Sequence, residues 1–315
     1  MELTRREFLK LCRASAIGAG ISQVYNPKLM EALAQTAAGR PKVIWIAGAA
    51  CTGCVVSLAN TAHPRIAEVL LKVISLQYQS TIMAGAGAMA IEHMFKAADD
   101  AKGEFFLLVE GSIPTKDDGI YCTIGERGGK EVTMLEAVKE LSDKCKAVVA
   151  VGACSSFGGI PAGKPNPTEA KPVKSVIDEK IPVIHIPGCP PHPDWMVGTL
   201  VHVLLFGIPD LDKNGRPKIF FGETVHQNCT NFSYFNNGEL AKKFGEKGCL
   251  IQLGCKGPMT NSDCPLRRWN SGVNWCIGSQ ATCIGCCGTN FPDDVSPIYA
   301  ALPKEQWPQQ EKGLA

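Results

Sequence analysis

Fifteen cysteines fall in a chain of 315 residues, and no other feature limits so sharply what such a chain can become. Thiols in that number need disulfides, bound metal or a reducing compartment. They are also unevenly placed. Cys51 and Cys54 form a close pair, Cys154 and Cys189 each follow an apolar run, and a dense group extends from Cys229 to Cys287.

The first residues bear on how the thiols are read. Thr4-Arg5-Arg6-Glu7-Phe8-Leu9-Lys10 is a twin-arginine export signal, followed by a weakly apolar stretch and a small-residue site at Ala32-Leu33-Ala34. The expected leader is 1–34. Twin-arginine export suits proteins that fold, often with a cofactor inserted, before they cross. Cysteines could then receive metal before meeting an oxidising compartment. Cys12 would leave with the leader.

Charge excludes one class of partner. A net +2 comes from 32 basic and 30 acidic residues without a long run of either sign, so nothing asks for a polyanion, and nucleic acid is not expected. No transmembrane segment is expected in the mature chain either, because residues 195–208 are too few to span a bilayer and include His202.

Short apolar runs alternate with helical patterns from 41 to 206. The strand candidates are 43–46, 73–76, 105–109, 148–151 and 183–186, and a helix is expected over 131–144 with Val132, Leu135, Val138 and Leu141 along one side. This predicts an α/β fold, a flavodoxin-like doubly wound parallel sheet. From 207 to 315 the pattern gives way to Gly, Asn, Pro and Cys, so an irregular C-terminal domain organised by bound clusters is expected. The boundary is soft, marked by Asp210, Asp212, Asn214, Gly215 and Pro217.

Cys51, Cys54, Cys154 and Cys189 each lie just beyond the carboxyl end of a strand candidate. Those ends converge on a crevice in an open parallel sheet, so distant segments can set thiolates around one centre. Four thiolates suit an iron-sulfur cubane, and zinc would accept the same set. Gly53, Gly152 and Gly188 allow tight turns beside a bulky group, or merely serve strand-to-helix turns. Glu110 ends the third strand and is a candidate neighbour of the same centre, although a strand-end carboxylate is ordinarily solvated.

Downstream, His226 and Cys229 form a close pair, followed by Cys249 and Cys255. Imidazole in place of one thiolate makes a cluster less negative and raises its potential. A last set is Cys264, Cys276, Cys283 and Cys286. Cys287 adjoins it, but neighbouring side chains seldom reach the same centre, which favours Cys276 as the fourth ligand. Cys122, Cys145 and Cys287 are most simply unligated.

Read together, Cys51-Thr52-Gly53-Cys54, Val109-Glu110-Gly111-Ser112-Ile113-Pro114, the segments 152–159 and 187–193, His226 to Cys229, Leu253-Gly254-Cys255-Lys256-Gly257-Pro258 and Cys283-Ile284-Gly285-Cys286 resemble the small subunit of periplasmic nickel-iron hydrogenases. The resemblance runs through most of the chain and is nearest to the selenium-containing branch. It implies an electron-transfer subunit of a heterodimeric hydrogenase, with no catalytic residue of its own. It also implies a proximal [4Fe-4S] cluster on Cys51, Cys54, Cys154 and Cys189, facing a large subunit that carries the nickel-iron centre. His226, Cys229, Cys249 and Cys255 would hold a distal [4Fe-4S] cluster near an external carrier, a multihaem cytochrome c by family analogy. The medial cluster would use Cys264, Cys276, Cys283 and Cys286. Many relatives have proline where this chain has Cys276 and carry three irons there. The extra thiolate implies a medial [4Fe-4S] cluster, reverting to [3Fe-4S] if Cys276 does not ligate.

Oxygen-tolerant relatives add cysteines near the proximal cluster, where this chain has Gly53 and Gly159. The polar segment from Lys304 to Lys312 replaces the apolar C-terminal helix of membrane-bound relatives, so a periplasmic complex, soluble or peripheral to the membrane, is expected. Two rival readings stand beside this one. A cluster-bearing subunit of a quinone- or formate-linked complex would usually keep only the first cysteine set. A zinc or disulfide-stapled binding protein would transfer no electrons.

Overall fold

Residues 43–46 make up the centre of β1 (Lys42–Ala47), buried along their whole length. The computed structural model describes residues 40–62 and 64–310, together with Arg6. The expected leader, Arg6 apart, lies outside the described residues, as does its cleavage site.

Four further parallel strands follow: β2 (Ser75–Gln79), β3 (Phe106–Glu110), β6 (Ala147–Val151) and β7 (Val183–Ile186). They join in the order β2-β1-β3-β6-β7, the flavodoxin-like order once the two hairpin strands are set aside. β3 and β6 are buried at every residue, as strands covered on both faces must be. On one face Val43, Trp45, Leu108 and Val149 pack with α1 (Gly53–Ala59) and α5 (Pro193–Phe206). On the other, Ile44, Ile46, Leu107 and Val148 pack with α2 (Gly87–Asp100) and α3 (Met134–Ser142). Cys122 and Cys145 sit against this second core, away from the other thiols.

Two sequence expectations are corrected. The second strand begins at Ser75 rather than Val73, because Val69–Val73 forms a wide helical turn that runs into it. The helix expected over 131–144 divides: Lys130–Thr133 is β5, paired antiparallel with β4 (Thr123–Arg127), and α3 starts only at Met134. Thr133 is the reason. Its hydroxyl accepts the Glu136 N–H at 3.1 Å, capping α3 where a β-branched run has just ended.

α5 is apolar nearly all round, which marks a helix buried on every side. His192 caps it, with Nδ1 accepting the Asp194 N–H at 3.0 Å, and Pro193 opens the first turn. One side of α5 covers the sheet. On the other, Trp195 meets Phe221 and Trp269, at 5.0 and 6.2 Å between ring centres, so this helix joins the two halves. Beyond it the chain runs in short helical turns around a small core of Val225, Ala241, Leu250, Trp275 and Ile277. Among the described residues no helix is long and apolar enough to cross a membrane.

Candidate metal centres

Strand register sets the first group of thiols. Ala47 pairs with Glu110, Glu110 with Val151, and Val151 with Ile186, so four strands end in one row. The segments leaving β1, β6 and β7 carry Cys51, with Cys54 in the first turn of α1, Cys154 in the short helix α4 (Gly152–Phe157), and Cys189. Ala153 N–H donates to Gly188 O at 2.8 Å, tying the second segment to the third. Thr52 takes a left-handed conformation, φ 62°, which folds the backbone between Cys51 and Cys54.

Two glycines are demanded by sulfur. A Cβ on Gly152, at φ +88°, would stand 2.5 Å from Cys54 Sγ, and one on Gly159 would stand 2.8 Å from Cys154 Sγ. Any other residue would fill the space the thiols face. Burial pushes the Cys54 thiol far up, and the nearby charges of Glu110, Cys154, Cys51 and Cys189 push it further. Cys154 is raised by burial first and then by Cys51 and Glu110, and Cys189 is raised to about 11 by burial with Cys154, Cys286 and Cys51 adding. Four thiolates this close repel one another unless a cationic core lies among them, and such a core holds them deprotonated.

Glu110 departs from the solvated carboxylate that its position suggests. It is 1% exposed, and Oε1 accepts the Cys54 N–H at 3.1 Å, serving one of the free amides at the start of α1. Burial raises its proton affinity against the opposing pull of the Cys54 and Val55 amides, the Cys54 thiol and the Trp45 indole. Oε2 has no hydrogen-bond partner among the described residues.

The second group gathers around Cys286. Cys264, Cys276 and Cys283 each lie within electrostatic reach of it, and in all three burial is the first cause that raises the thiol. Cys276 is exposed as a residue, yet burial is the first cause that raises its thiol. Cys287 is 1% exposed, with Sγ 4.0 Å from Cys286 Sγ and 3.8 Å from Pro187 O. That neighbour holds the Cys286 thiol low, and the Cys189 amide lowers it too.

Cys229, Cys249, Cys255 and His226 line one small pocket with Leu250, Ile251 and Ile277. Burial raises Cys229 to about 12 and Cys249 to about 11, with Cys255 adding to both. The Asn231 and Gly257 amides donate to Cys229 Sγ and Cys255 Sγ at 3.3 and 3.4 Å, the bonds that stabilise a thiolate. His226 stands edge-on to Phe232 and Phe235, its ring 5.1 and 4.7 Å from theirs, and burial disfavours its protonated form. Nε2 is buried without a hydrogen-bond partner among the described residues, which costs about 1–3 kcal/mol unless something coordinates it. A neutral imidazole with a bare nitrogen beside three thiols fits a metal cluster.

The groups adjoin in sequence. Cys189 of the first lies within reach of Cys286 in the second, and Cys283 of the second within reach of Cys255 in the third. Lys256 N–H donates to Cys283 O at 2.7 Å, binding the latter two loops together. Among the described residues, no three His, Cys, Asp or Glu close tightly enough to hold a single metal ion. A cubane with iron at four corners asks for a wider set.

Sequence reasoning missed the polar brace beside these groups. Arg267, 5% exposed, donates to Asp263 Oδ2 at 2.7 Å and to Asp194 Oδ2 at 3.0 Å, while Trp195 Nε1 donates to Asp263 Oδ1 at 2.7 Å. Asp263 precedes Cys264, so the brace pins the short turn Cys264–Arg267 to α5. An Arg three residues after a cysteine carries no signal until its partners are known.

Comparison with known proteins covers both halves. Residues 51–203 match the family model for the NADH ubiquinone oxidoreductase 20 kDa subunit, and 221–299 match that for the C-terminal part of the nickel-iron and nickel-iron-selenium hydrogenase small subunit. The periplasmic nickel-iron-selenium hydrogenase small subunit of Desulfomicrobium baculatum is 51% identical over 96% of this chain and 100% of its own length. The periplasmic nickel-iron hydrogenase small subunit of Solidesulfovibrio fructosivorans is 42% identical over 94% of this chain and 93% of its own. Among solved structures, a chain of the reduced, active nickel-iron-selenium hydrogenase of Desulfomicrobium baculatum superposes with a TM-score of 0.81 at 49% identity, covering 84% of this chain and all of that one. A chain of the oxidised nickel-iron-selenium hydrogenase of Desulfovibrio vulgaris Hildenborough gives 0.79 at 48% identity, over 83% and 98%.

Proposed function

This chain belongs to the family of nickel-iron and nickel-iron-selenium hydrogenase small subunits, and from that premise we propose that it conducts electrons between a large subunit, where hydrogen is split, and an external acceptor. The observation that carries the reading is the succession of three sulfur-rich groups, with Cys189 within electrostatic reach of Cys286 and Cys283 within reach of Cys255, the residue before the Lys256 amide that donates to Cys283 O at 2.7 Å. When bound, each iron-sulfur cluster takes up and releases single electrons.

The first half, 41–206, supplies Cys51, Cys54, Cys154 and Cys189 for the proximal cluster. The second, 207–315, supplies Cys264, Cys276, Cys283 and Cys286 for the medial cluster and His226, Cys229, Cys249 and Cys255 for the distal one. All three are [4Fe-4S] in this reading, because Cys276 gives the medial set its fourth thiolate. Cys51 and Cys189 are exposed, which suits a proximal cluster that a large subunit covers. Glu110 fixes the Cys54 backbone and contributes a polar neighbour to that cluster. His226 lowers the negative charge of the distal set, which suits the exit end. The acceptor is a multihaem cytochrome c, and the mature complex works in the periplasm after twin-arginine export.

The test is Cys189→Ser in the intact heterodimer. Hydrogen-dependent dye reduction should be lost while nickel stays in the large subunit. Normal dye reduction by that variant would refute the proposed route.

A further inference from the structure

Three basic side chains are buried among the described residues: Arg216, Arg267 and Lys256. Each arginine has carboxylate partners, Asp212 for Arg216 and Asp263 with Asp194 for Arg267, at 2.7 to 3.0 Å. Lys256, 2% exposed, has none within ion-pair distance among the described residues. Its Nζ donates to the carbonyl of Ala300, a neutral acceptor. A covered ammonium needs a compensating negative charge, or burial would be too costly to sustain.

The nearby negative groups are cysteines from two different sets. Lys256 lies within electrostatic reach of Cys255 and Cys283. Its own position fixes this. Cys255 is the preceding residue, the Lys256 N–H donates to Cys283 O at 2.7 Å, and the side-chain stem lies against the Cys283-to-Cys286 turn, where a Cβ on Gly285 would stand 3.4 Å from Lys256 Cβ. The 299–300 segment closes over the top, with the Tyr299 backbone so near Gly254 that a Cβ there would approach it to 2.5 Å.

We propose that the Lys256 ammonium is a fixed positive charge shared by the medial and distal ligand sets, holding the reduction potentials of both upward at the last internal hop. This rests on the electron-transfer reading above. The step it serves moves one electron from the medial to the distal cluster, with no bond made or broken. Reducing a cluster adds negative charge, so a water-excluded cation beside it favours the reduced form. One cation between two neighbours raises both together and keeps the hop between them nearly level.

The test is an EPR-monitored redox titration of the anaerobic holo-heterodimer carrying Lys256→Met, Lys256→Gln or Lys256→Arg, with iron content measured alongside. The neutral variants should lower the reduced-to-oxidised ratio of the medial and distal clusters about tenfold at a given applied potential, or about 59 mV for a one-electron couple, and leave the proximal cluster unmoved. Gln can still donate to Ala300, so its shift separates charge from the loss of a hydrogen bond. Arg should behave as Lys does. The proposal is overturned if fully loaded neutral variants titrate like the parent, if the proximal cluster shifts equally, or if both neutral variants lose a cluster and Lys256 proves to be a structural pin. Absence of all cluster signals from the parent protein would instead overturn the electron-transfer reading itself.

Discussion

Gly152 shows how closely single residues are specified around the thiols. It combines a left-handed backbone with a hypothetical Cβ 2.5 Å from Cys54 Sγ, so Gly152→Ala should add backbone strain of about 1–2 kcal/mol and crowd the sulfur. Iron per chain should fall by about one cluster, and full iron loading would show that the loop has room to yield. Cys276 carries a different prediction. Cys276→Ala should leave the medial cluster one iron short and bring up a three-iron EPR signal in protein as isolated. An unchanged spectrum would remove Cys276 from the ligand set. The cysteine groupings rest on spacing and strand ends, which are local patterns in the sequence. Glu110 could be named a candidate from its strand end, but its burial and its bond to the Cys54 amide 56 residues away could not be read, and Lys256, whose partner lies 44 residues away, gave no signal at all, since nothing local marks a carboxylate or ammonium as buried.

Among the elements, the five parallel strands were legible as apolar runs, because strands buried on both faces admit little else. The hairpin β4-β5 was not. Its second strand, Lys-Glu-Val-Thr, has one buried residue, and Val132 fitted the helical spacing of Leu135 and Val138 equally well. β7 also holds a group with a pH signature. His185 is 7% exposed, stacks on Phe157 at 5.3 Å and has no hydrogen-bond partner for Nδ1 among the described residues. Burial lowers its pKa from 6.5 to about 4, helped by Lys174 and Arg216 and opposed by Asp212. The unfolded chain therefore binds a proton at His185 between pH 6.5 and about 4 where the folded chain does not. This group's effect on stability is nil above that window and grows as pH falls through it, to about 3 kcal/mol. In thermal unfolding the midpoint should fall on acidification across this window, and His185→Phe should flatten the fall. Identical profiles would show that His185 is not the group responsible.

At the scale of the whole molecule, the sheet and the irregular half do different work. The sheet brings together segments more than a hundred residues apart, and α5 with the Arg267 brace holds the second half against it. The small core around Val225 and Trp275 offers that half little apolar burial, and clusters bound by its cysteines, as proposed, would supply the missing order. Composition pointed to such a dependence, whereas the succession of the three sets depends on tertiary packing, which local patterns do not carry and only the family resemblance implied. The most direct test is iron and sulfide analysis of the anaerobically purified heterodimer, with EPR of the reduced state. About twelve irons should belong to this chain, as three four-iron clusters require, and the signals of neighbouring clusters should be magnetically coupled. A colourless, iron-free chain within an otherwise matured complex would contradict the account.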